Sequence, residues 1–235
     1  MNIIKLYNTL FDEFEDLNWW PYDKVYHKIN STDHRFEIIV GAILTQNTSW
    51  LNVEKALNNL KEENILDIKS ILETDEKTLK KLIKPSGFFN QKADRILNFS
   101  KYINKNYNQN LNLFFDKDIQ NLRYELLSLQ GIGPETADSI ILYAAEKPIF
   151  VVDAYTKRIC KRLNIVSDCS YNNIQNYFEK EISKNFSKKE IVYIYNQMHA
   201  LIVFFAKKYC KKKPVCKNCP IKKECYYYKN IILSQ

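Results

Sequence analysis

The stretch Leu129-Gln130-Gly131-Ile132-Gly133-Pro134-Glu135-Thr136-Ala137 decides the fold. Two glycines two residues apart allow a tight turn with open amide N–H groups, and Pro134 suits the first position of a following helix, where an N–H is not needed. Such a hairpin offers glycine amides and the positive end of a helix to a phosphate. A plain helix–turn–helix connector is the alternative, but two of the four glycines of the chain lie here, which favours a binding role.

Apolar residues recur at spacings of three and four on both sides of this hairpin. One stripe consists of Phe36, Ile39 and Ile43, and a second runs from Leu122 through Leu126 into the hairpin. The chain has only 4 Gly and 6 Pro in 235 residues, and it lacks a convincing alternation of polar and apolar residues. Because a turn-rich β fold needs both features, the sequence predicts an all-α fold.

The composition is that of a folded, basic protein, with 46% hydrophobic residues, a formal charge of +8 and a pI near 9.0. This charge suits a polyanion partner, although a lysine-rich solvated surface would give the same balance. No apolar run approaches the ~20 residues that span a bilayer, and the first residues are acidic where a secretory signal would be basic. We expect a cytoplasmic protein without a membrane partner, in a compartment where structural disulfides are rare.

Four of the six cysteines therefore need another explanation, because Cys210, Cys216, Cys219 and Cys225 lie within sixteen residues. Four thiolates at this density can hold an iron–sulfur cluster or a structural zinc ion. Lys211, Lys212 and Lys213 make the first gap basic, which suits either a phosphate contact or a solvated loop.

Asp153 follows Phe150-Val151-Val152, twenty residues after Gly133. Taken alone, its ordinary role would be to cap the next helix. However, the hairpin, the apolar helix after it and Val152-Asp153 together resemble the helix-hairpin-helix glycosylase superfamily, of which endonuclease III is a member. The resemblance implies that the hairpin grips the DNA backbone, and that Asp153 is the catalytic carboxylate, opposite the sugar of a flipped nucleotide.

The resemblance covers most of the chain. Leu44-Thr45-Gln46-Asn47-Thr48 is similar to the family segment whose glutamine fills the hole left by the extruded base. Pro85-Ser86-Gly87-Phe88-Phe89-Asn90-Gln91-Lys92-Ala93 is similar to the loop that inserts an apolar wedge, here Phe88, with Lys92 near a phosphate. The DNA-binding residues implied in this way are Gln46, Asn47, Phe88, Lys92, Gly131, Gly133 and Thr136.

The cysteine pattern resembles the loop that holds a [4Fe–4S] cluster in endonuclease III, with five residues instead of six in the first gap. Cys210, Cys216, Cys219 and Cys225 are then the implied ligands, and structural zinc is the alternative.

Glu135 stands two residues after the second hairpin glycine, where bifunctional members of the superfamily carry a lysine. That amine attacks the sugar and forms the Schiff base that leads to strand cleavage. Because a carboxylate cannot form an imine, the substitution implies a monofunctional enzyme that hydrolyses the N-glycosidic bond only. Asp153 would stabilise the oxocarbenium-like sugar and orient water.

Trp19, Trp20 and Trp50 are the three tryptophans of the chain, and we expect them to form the base pocket. Indoles stack on electron-poor, cationic bases, although packing alone would also account for each of them. Trp19-Trp20-Pro21, the aromatic Trp50 two residues after Thr48, and the loop from Pro85 to Ala93 together resemble the 3-methyladenine DNA glycosylase III branch, which also has glutamate at the lyase position. The implied substrate is an alkylated purine such as 3-methyladenine, a base that leaves without a general acid.

The expected architecture is the two-domain glycosylase fold: a six-helix barrel domain over residues 33–143, and a second helical domain of residues 1–32 and 144–235 that ends in the cysteine loop. The DNA cleft and Asp153 are expected between the two domains. The expected partner is double-stranded DNA containing a damaged base, bound by a monomer. Two other functions remain open: an endonuclease III-like glycosylase and lyase for oxidised pyrimidines, and a non-catalytic DNA-binding module in which Asp153 only caps a helix.

Overall fold

The computed structural model of the protein describes residues 1–233. It is 67% helical, and no β-strand occurs in these residues. The prediction of an all-α fold is therefore confirmed. In chain order the helices are α1 (Ile3–Phe14), α2 (Lys24–Asn30), α3 (His34–Leu44), α4 (Trp50–Glu62), α5 (Ile68–Glu73), α6 (Glu76–Leu82), α7 (Phe89–Tyr107), α8 (Leu111–Phe115), α9 (Ile119–Ser128), α10 (Pro134–Ser139), α11 (Ala154–Leu163), α12 (Tyr171–Ser183) and α13 (Ile191–Lys208).

The chain divides into two compact units. The central unit is Trp20–Lys147, and the terminal unit consists of Met1–Trp19 and the chain from Pro148 onwards. A 3-10 turn, Lys84–Ser86, precedes α7, and a π-helical turn, Ile140–Ala144, continues α10. In the described part of the terminal unit, shorter turns follow α13 at Lys222–Glu224 and Tyr228–Ile232.

Aspartates start many of these helices, because their carboxylates accept a hydrogen bond from a backbone N–H of the first turn, which has no partner within the helix. In residues 1–233, six helices have such a cap: Asp23, Asp33, Asp67, Asp75, Asp118 and Asp153. Asp33 caps α3 in agreement with the polar stretch that precedes Phe36. Local sequence signals thus fix where these six helices begin.

The core of the central unit is built on the apolar stripes that the sequence pattern predicted. Phe36, Ile39 and Ile43 of α3 are buried, as are Leu122 and Leu126 of α9. Helix α3 packs against the π-helical turn after α10, and α7 packs against α5 and α6. This core carries the glycine hairpin on α9 and α10.

Residues 20–32 belong to the central unit, which corrects the predicted boundary at residue 33. Two groups from this segment bond the buried Glu37 carboxylate: the Asp23 N–H at 2.9 Å and His27 Nε2 at 2.8 Å. Trp20 packs on Gly41, where a Cβ would lie 3.2 Å from its Nε1. Because a buried carboxylate needs hydrogen-bond donors, the segment is held to α3.

The core of the terminal unit is formed by both of its chain segments, the N-terminal residues and the chain from Pro148 onwards. Helix α1 packs against α13, and the ring centroids of Phe150 and Phe178 lie 4.5 Å apart in a stacked arrangement. Met198, Leu201 and Phe205 of α13 are buried. None of the helices in residues 1–233 has both the length and the apolar character needed to cross a membrane.

Candidate functional site

The glycine hairpin connects α9 to α10 in the central unit. Gly131 has φ +83°, a left-handed conformation that suits glycine, and Gly133 is the N-cap of α10, with Pro134 at the first helical position as predicted. Ile132 is buried and anchors the hairpin, while both glycines are exposed. A Cβ at Gly133 would meet nothing within 4 Å, so the space in front of this turn is open.

Gln46 lies beside the hairpin. Its Nε2 donates to the Gly131 carbonyl oxygen at 3.0 Å and to Thr136 Oγ1 at 2.8 Å. Its Oε1 accepts a hydrogen bond from Arg95. The structure thus brings together three residues of the predicted DNA-binding set, and Asn47 follows as an exposed residue with φ +54°.

Arg95 is a residue of this site that the sequence analysis missed. Its side chain crosses the hairpin so closely that a Cβ at Gly131 would collide with the Arg95 Nε. Two features therefore favour glycine at position 131: its positive φ, and the space that the absence of a Cβ leaves for the Arg95 side chain. The sequence did contain a signal for Arg95. It lies three residues after Lys92, so it is a second cation close to the wedge loop on the same helix.

Phe88 has the exposure that a wedge requires. The residue is 63% exposed, and its backbone has φ +47°, directly after Gly87 at φ +67°. A bulky residue rarely adopts this conformation, and an exposed Phe gains nothing from burial. Both features fit a side chain whose apolar surface is covered by a bound partner.

The prediction that Lys92 lies near a phosphate is corrected by the structure, because the side chain is fully buried. Its Nζ donates to the carbonyl oxygens of Leu44 and Ser86, both at 2.7 Å. Burial, and to a smaller degree the charge of Arg95, lower the pKa of Lys92 to about 8. Lys92 instead ties the end of α3 to the loop before Phe88.

The tryptophans are divided between the two units. Trp20 and Trp50 of the central unit meet edge to face, with ring centroids 5.2 Å apart at 88°, and Tyr143 lies 5.1 Å from Trp20. Trp19 contacts Phe204 in the terminal unit at 6.2 Å. Trp20 is buried, whereas Trp19 and Trp50 are partly exposed. The indoles of Trp20 and Trp50 do not form the parallel pair that would sandwich a base, so the predicted base pocket stays a prediction.

Asp153 caps α11 and is buried. Its Oδ1 accepts from the Thr156 N–H at 2.7 Å and from Thr156 Oγ1 at 2.8 Å. Asp153 is 7% exposed, and it is the buried member of the six aspartate caps in residues 1–233. Helix caps ordinarily keep their carboxylates in water, so capping accounts for Oδ1 but not for the burial of the charge.

His199 of α13 is the second residue that the sequence analysis missed. Its Nε2 lies 3.7 Å from Asp153 Oδ2, and its side chain is also buried. Burial alone would raise the pKa of the Asp153 carboxyl, but His199 and the hydrogen bonds from Thr156 outweigh it and hold that pKa below its ordinary value. The Asp153 carboxylate is therefore ionised at neutral pH. No sequence spacing indicated this pair.

Glu135 occupies the first turn of α10 and is exposed. A carboxylate there interacts favourably with the positive end of the helix.

The four cysteines of the predicted loop are free thiols that line one small cavity in the terminal unit. Burial, with a smaller effect of the neighbouring thiols, raises the pKa of Cys219 to about 11. In residues 1–233, no three His, Cys, Asp or Glu side chains form a group that could hold a metal ion. The four thiols share this largely apolar cavity, and their role as the ligands of a cluster or a zinc ion stays a prediction.

Two arginines of α11 hold this loop. Arg158 Nε donates to the Cys210 carbonyl oxygen at 2.8 Å, and Arg162 donates to the carbonyl oxygens of Lys211 and Lys212 at 2.6 and 2.8 Å. The helix that Asp153 caps therefore also carries the side chains that organise the cysteine loop.

The sequence is similar to that of a known protein family and of individual relatives. The family model "HhH-GPD superfamily base excision DNA repair protein" matches residues 40–184. The protein named "Putative DNA repair glycosylase MJ1434" of Methanocaldococcus jannaschii is 48% identical over 225 residues, 95% of each chain. Endonuclease III of Rickettsia prowazekii is 29% identical over 98% of this chain and 99% of its own.

Two solved structures are similar in fold. The H. pylori 3-methyladenine DNA glycosylase (MagIII), bound to 1,N6-ethenoadenine, has a TM-score of 0.72 and 32% identity over 88% of this chain and 96% of its own. A non-covalent endonuclease III–DNA complex has a TM-score of 0.76 at 21% identity, over 98% of this chain and 97% of its own.

Proposed function

Because this chain belongs to the HhH-GPD superfamily of base excision DNA repair proteins, we propose that it is a monofunctional DNA glycosylase for an alkylated purine such as 3-methyladenine. The observation that carries the monofunctional assignment is Glu135, exposed in the first turn of α10 after the hairpin. A carboxylate at this position cannot form the Schiff base through which a lyase cleaves the strand.

Asp153 would stabilise the sugar cation that develops as the N-glycosidic bond breaks. Its Oδ1 is engaged by Thr156, while its Oδ2 lies towards His199. A buried, ionised carboxylate interacts with a developing positive charge more strongly than one in water, and it needs no reorganisation during the reaction. A cationic alkylated base leaves without a general acid, so one carboxylate is sufficient for this chemistry.

Double-stranded DNA with a damaged base is the proposed partner. The hairpin at Gly131 and Gly133, which is open in front of Gly133, would bind the backbone, and the exposed Phe88 would insert beside the orphaned base. Gln46, next to the hairpin, would fill the space of the extruded nucleotide. Recognition of a flipped cationic base by the indoles would rest on stacking and cation–π attraction.

The substrate class is supported by the resemblance to the 3-methyladenine branch and by the 32% identity to a glycosylase of that name. Cys210, Cys216, Cys219 and Cys225 would hold a [4Fe–4S] cluster, with structural zinc as the alternative. Such a cluster would link the turns that carry the four cysteines.

A panel of duplexes tests the proposed function directly. Purified protein is incubated with duplexes containing 3-methyladenine, 7-methylguanine, hypoxanthine, uracil or an oxidised pyrimidine, and the released base is measured by chromatography. Release of the alkylated purines without strand cleavage is expected. Release of oxidised pyrimidines together with a borohydride-trapped adduct would support the lyase alternative, and binding without any release would support the non-catalytic module.

A further inference from the structure

Arg95 is the cationic side chain that lies against the glycine hairpin. Lys92, three residues earlier on α7, has its ammonium committed to two buried carbonyl oxygens. Arg95, in contrast, is partly exposed and crosses Gly131. Two cationic side chains one turn apart on α7 thus have different surroundings: Lys92 lies in the core and Arg95 lies at the hairpin.

The remaining arginines in residues 1–233 are engaged elsewhere. Arg35 and Arg123 form ion pairs with Asp33 and Asp138 in the central unit. In the terminal unit, Arg158 and Arg162 bond backbone carbonyl oxygens of the cysteine loop; those bonds involve Cys210, Lys211 and Lys212. Within the described residues, Arg95 forms no ion pair with a carboxylate, and its hydrogen bond goes to the neutral amide oxygen of Gln46.

The geometry leaves the guanidinium with donors for an anion. Arginine has five N–H groups, and one of them, on Nη1, bonds Gln46. The Nε side of the group faces Gly131, next to the exposed turn that ends at the Gly133 N-cap. A phosphate at the exposed amides of Gly131 and Gly133 would also meet this guanidinium, and a charged acceptor forms stronger hydrogen bonds than the Gln46 amide does.

We propose that Arg95 binds a phosphate of the DNA backbone beside the hairpin, as a contact additional to the glycine amides. The proposal deepens the proposed function and rests on it for the identity of the polyanion. It assigns to Arg95 the phosphate contact that the sequence pattern had predicted for Lys92.

Binding of a duplex that contains a tetrahydrofuran abasic analogue tests the proposal, because this probe needs no chemistry. Dissociation constants of wild-type protein and Arg95→Gln are measured by fluorescence anisotropy between roughly 50 and 200 mM KCl. Loss of one phosphate contact is expected to lower the slope of log K against log salt by about 1. Affinity at the lowest salt should fall roughly tenfold.

Two further variants make the result specific. Arg95→Lys keeps the charge but loses the planar fork, so the salt slope should stay near that of the wild-type protein while affinity falls less than in Arg95→Gln. Arg35→Gln removes an arginine of the same unit that is already paired with Asp33, and its slope should also stay near the wild-type value. Thermal melting of each variant verifies that it is folded.

An unchanged salt slope in folded Arg95→Gln would overturn the proposal, even with weaker binding, because Arg95 would then act only by positioning Gln46. Equal loss of slope in Arg35→Gln would overturn it as well. Base release from the duplex panel is measured separately on the wild-type protein. A changed slope without base release contradicts the proposed function alone, and base release with an unchanged slope contradicts the Arg95 contact alone.

Discussion

His199 Nε2 lies 3.7 Å from Asp153 Oδ2, and both side chains are buried in the terminal unit. The two oxygens of the carboxylate thus have different surroundings, since Thr156 takes Oδ1 for the cap of α11. A capping aspartate needs one oxygen only. A substitution that keeps the cap but removes the charge can therefore distinguish a catalytic Asp153 from one that only caps α11.

Asp153→Asn is expected to abolish base release and to leave the affinity for abasic duplex nearly unchanged. Asparagine caps a helix about as well as aspartate, so the melting temperature should stay close to that of the wild-type protein. Asp153→Ala loses the cap as well and should melt a few degrees lower, because a cap contributes about 1 kcal/mol. Single-turnover base release, anisotropy and thermal melting distinguish these effects. Excision by Asp153→Asn at the native rate would refute the role of the carboxylate.

Glu135→Lys is expected to gain a covalent adduct with abasic DNA. The substitution places an amine at an exposed position in the first turn of α10, where the family resemblance implies the lysine of a bifunctional enzyme. Borohydride treatment followed by denaturing electrophoresis detects the adduct. Wild-type protein and Glu135→Gln should give none, and a strong adduct from the wild-type protein would contradict the monofunctional assignment.

The stability contributed by Glu37 should depend on pH. Burial would raise the pKa of this carboxyl, but the hydrogen bonds from His27 and the Asp23 N–H, with Lys61 at 3.4 Å, hold that pKa below its ordinary value. Because the pKa of the unfolded chain is about 4.3, the stabilisation is complete above that pH and is lost as the pH falls through the lower pKa of the folded state.

Glu37→Gln should therefore be less stable than the wild-type protein by about 1–3 kcal/mol at pH 7, and the difference should shrink below about pH 4. Urea unfolding followed by circular dichroism measures both values. Glu62→Gln, at an exposed position of α4, is the matched control and should differ little at either pH. A deficit that persists unchanged below pH 4 would show that ionisation of Glu37 is not its origin.

The buried Lys92 predicts a second pH dependence of stability, of the same sign as that of Glu37 but at alkaline pH. Its pKa of about 8 lies below the value of about 10.4 in an unfolded chain, so between these pH values the unfolded state binds more protons. The free energy of unfolding of the wild-type protein should therefore rise relative to Lys92→Met from pH 8 to pH 10, by at most about 1.4 kcal/mol per pH unit. Lys101→Met, exposed on the same helix, should show no such relative change. If the free energies of unfolding of wild-type protein and Lys92→Met changed in parallel between pH 8 and pH 10, the lowered pKa of Lys92 would be contradicted.

The cysteine loop can be tested by colour and metal content. Wild-type protein is expected to be brown, with broad visible absorbance and stoichiometric iron and sulfide, and Cys225→Ser should lose most of this absorbance. Cys160→Ser is the matched control, because Cys160 is a buried free cysteine outside the loop. Colourless wild-type protein with stoichiometric zinc would favour the zinc alternative.

Local patterns in the sequence were sufficient for much of this molecule. Helix content, the helix starts at Asp33 and Pro134, and the turn at Gly131 follow from interactions within a few residues, which the sequence displays directly. The family resemblance likewise rests on short motifs at fixed spacing. The absence of a lyase lysine at position 135 is also a property of the sequence alone.

Only the tertiary structure decided which side chains meet. Lys92 and Arg95 are three residues apart on α7 and look alike as candidate cations, yet packing of α7 buries the first and leaves the second at the hairpin. Gln46 reaches Thr136 across 90 residues, and His199 reaches Asp153 between two helices distant in sequence. Burial and hydrogen-bond partners depend on which helix faces pack together, and no spacing within a single helix contains that information.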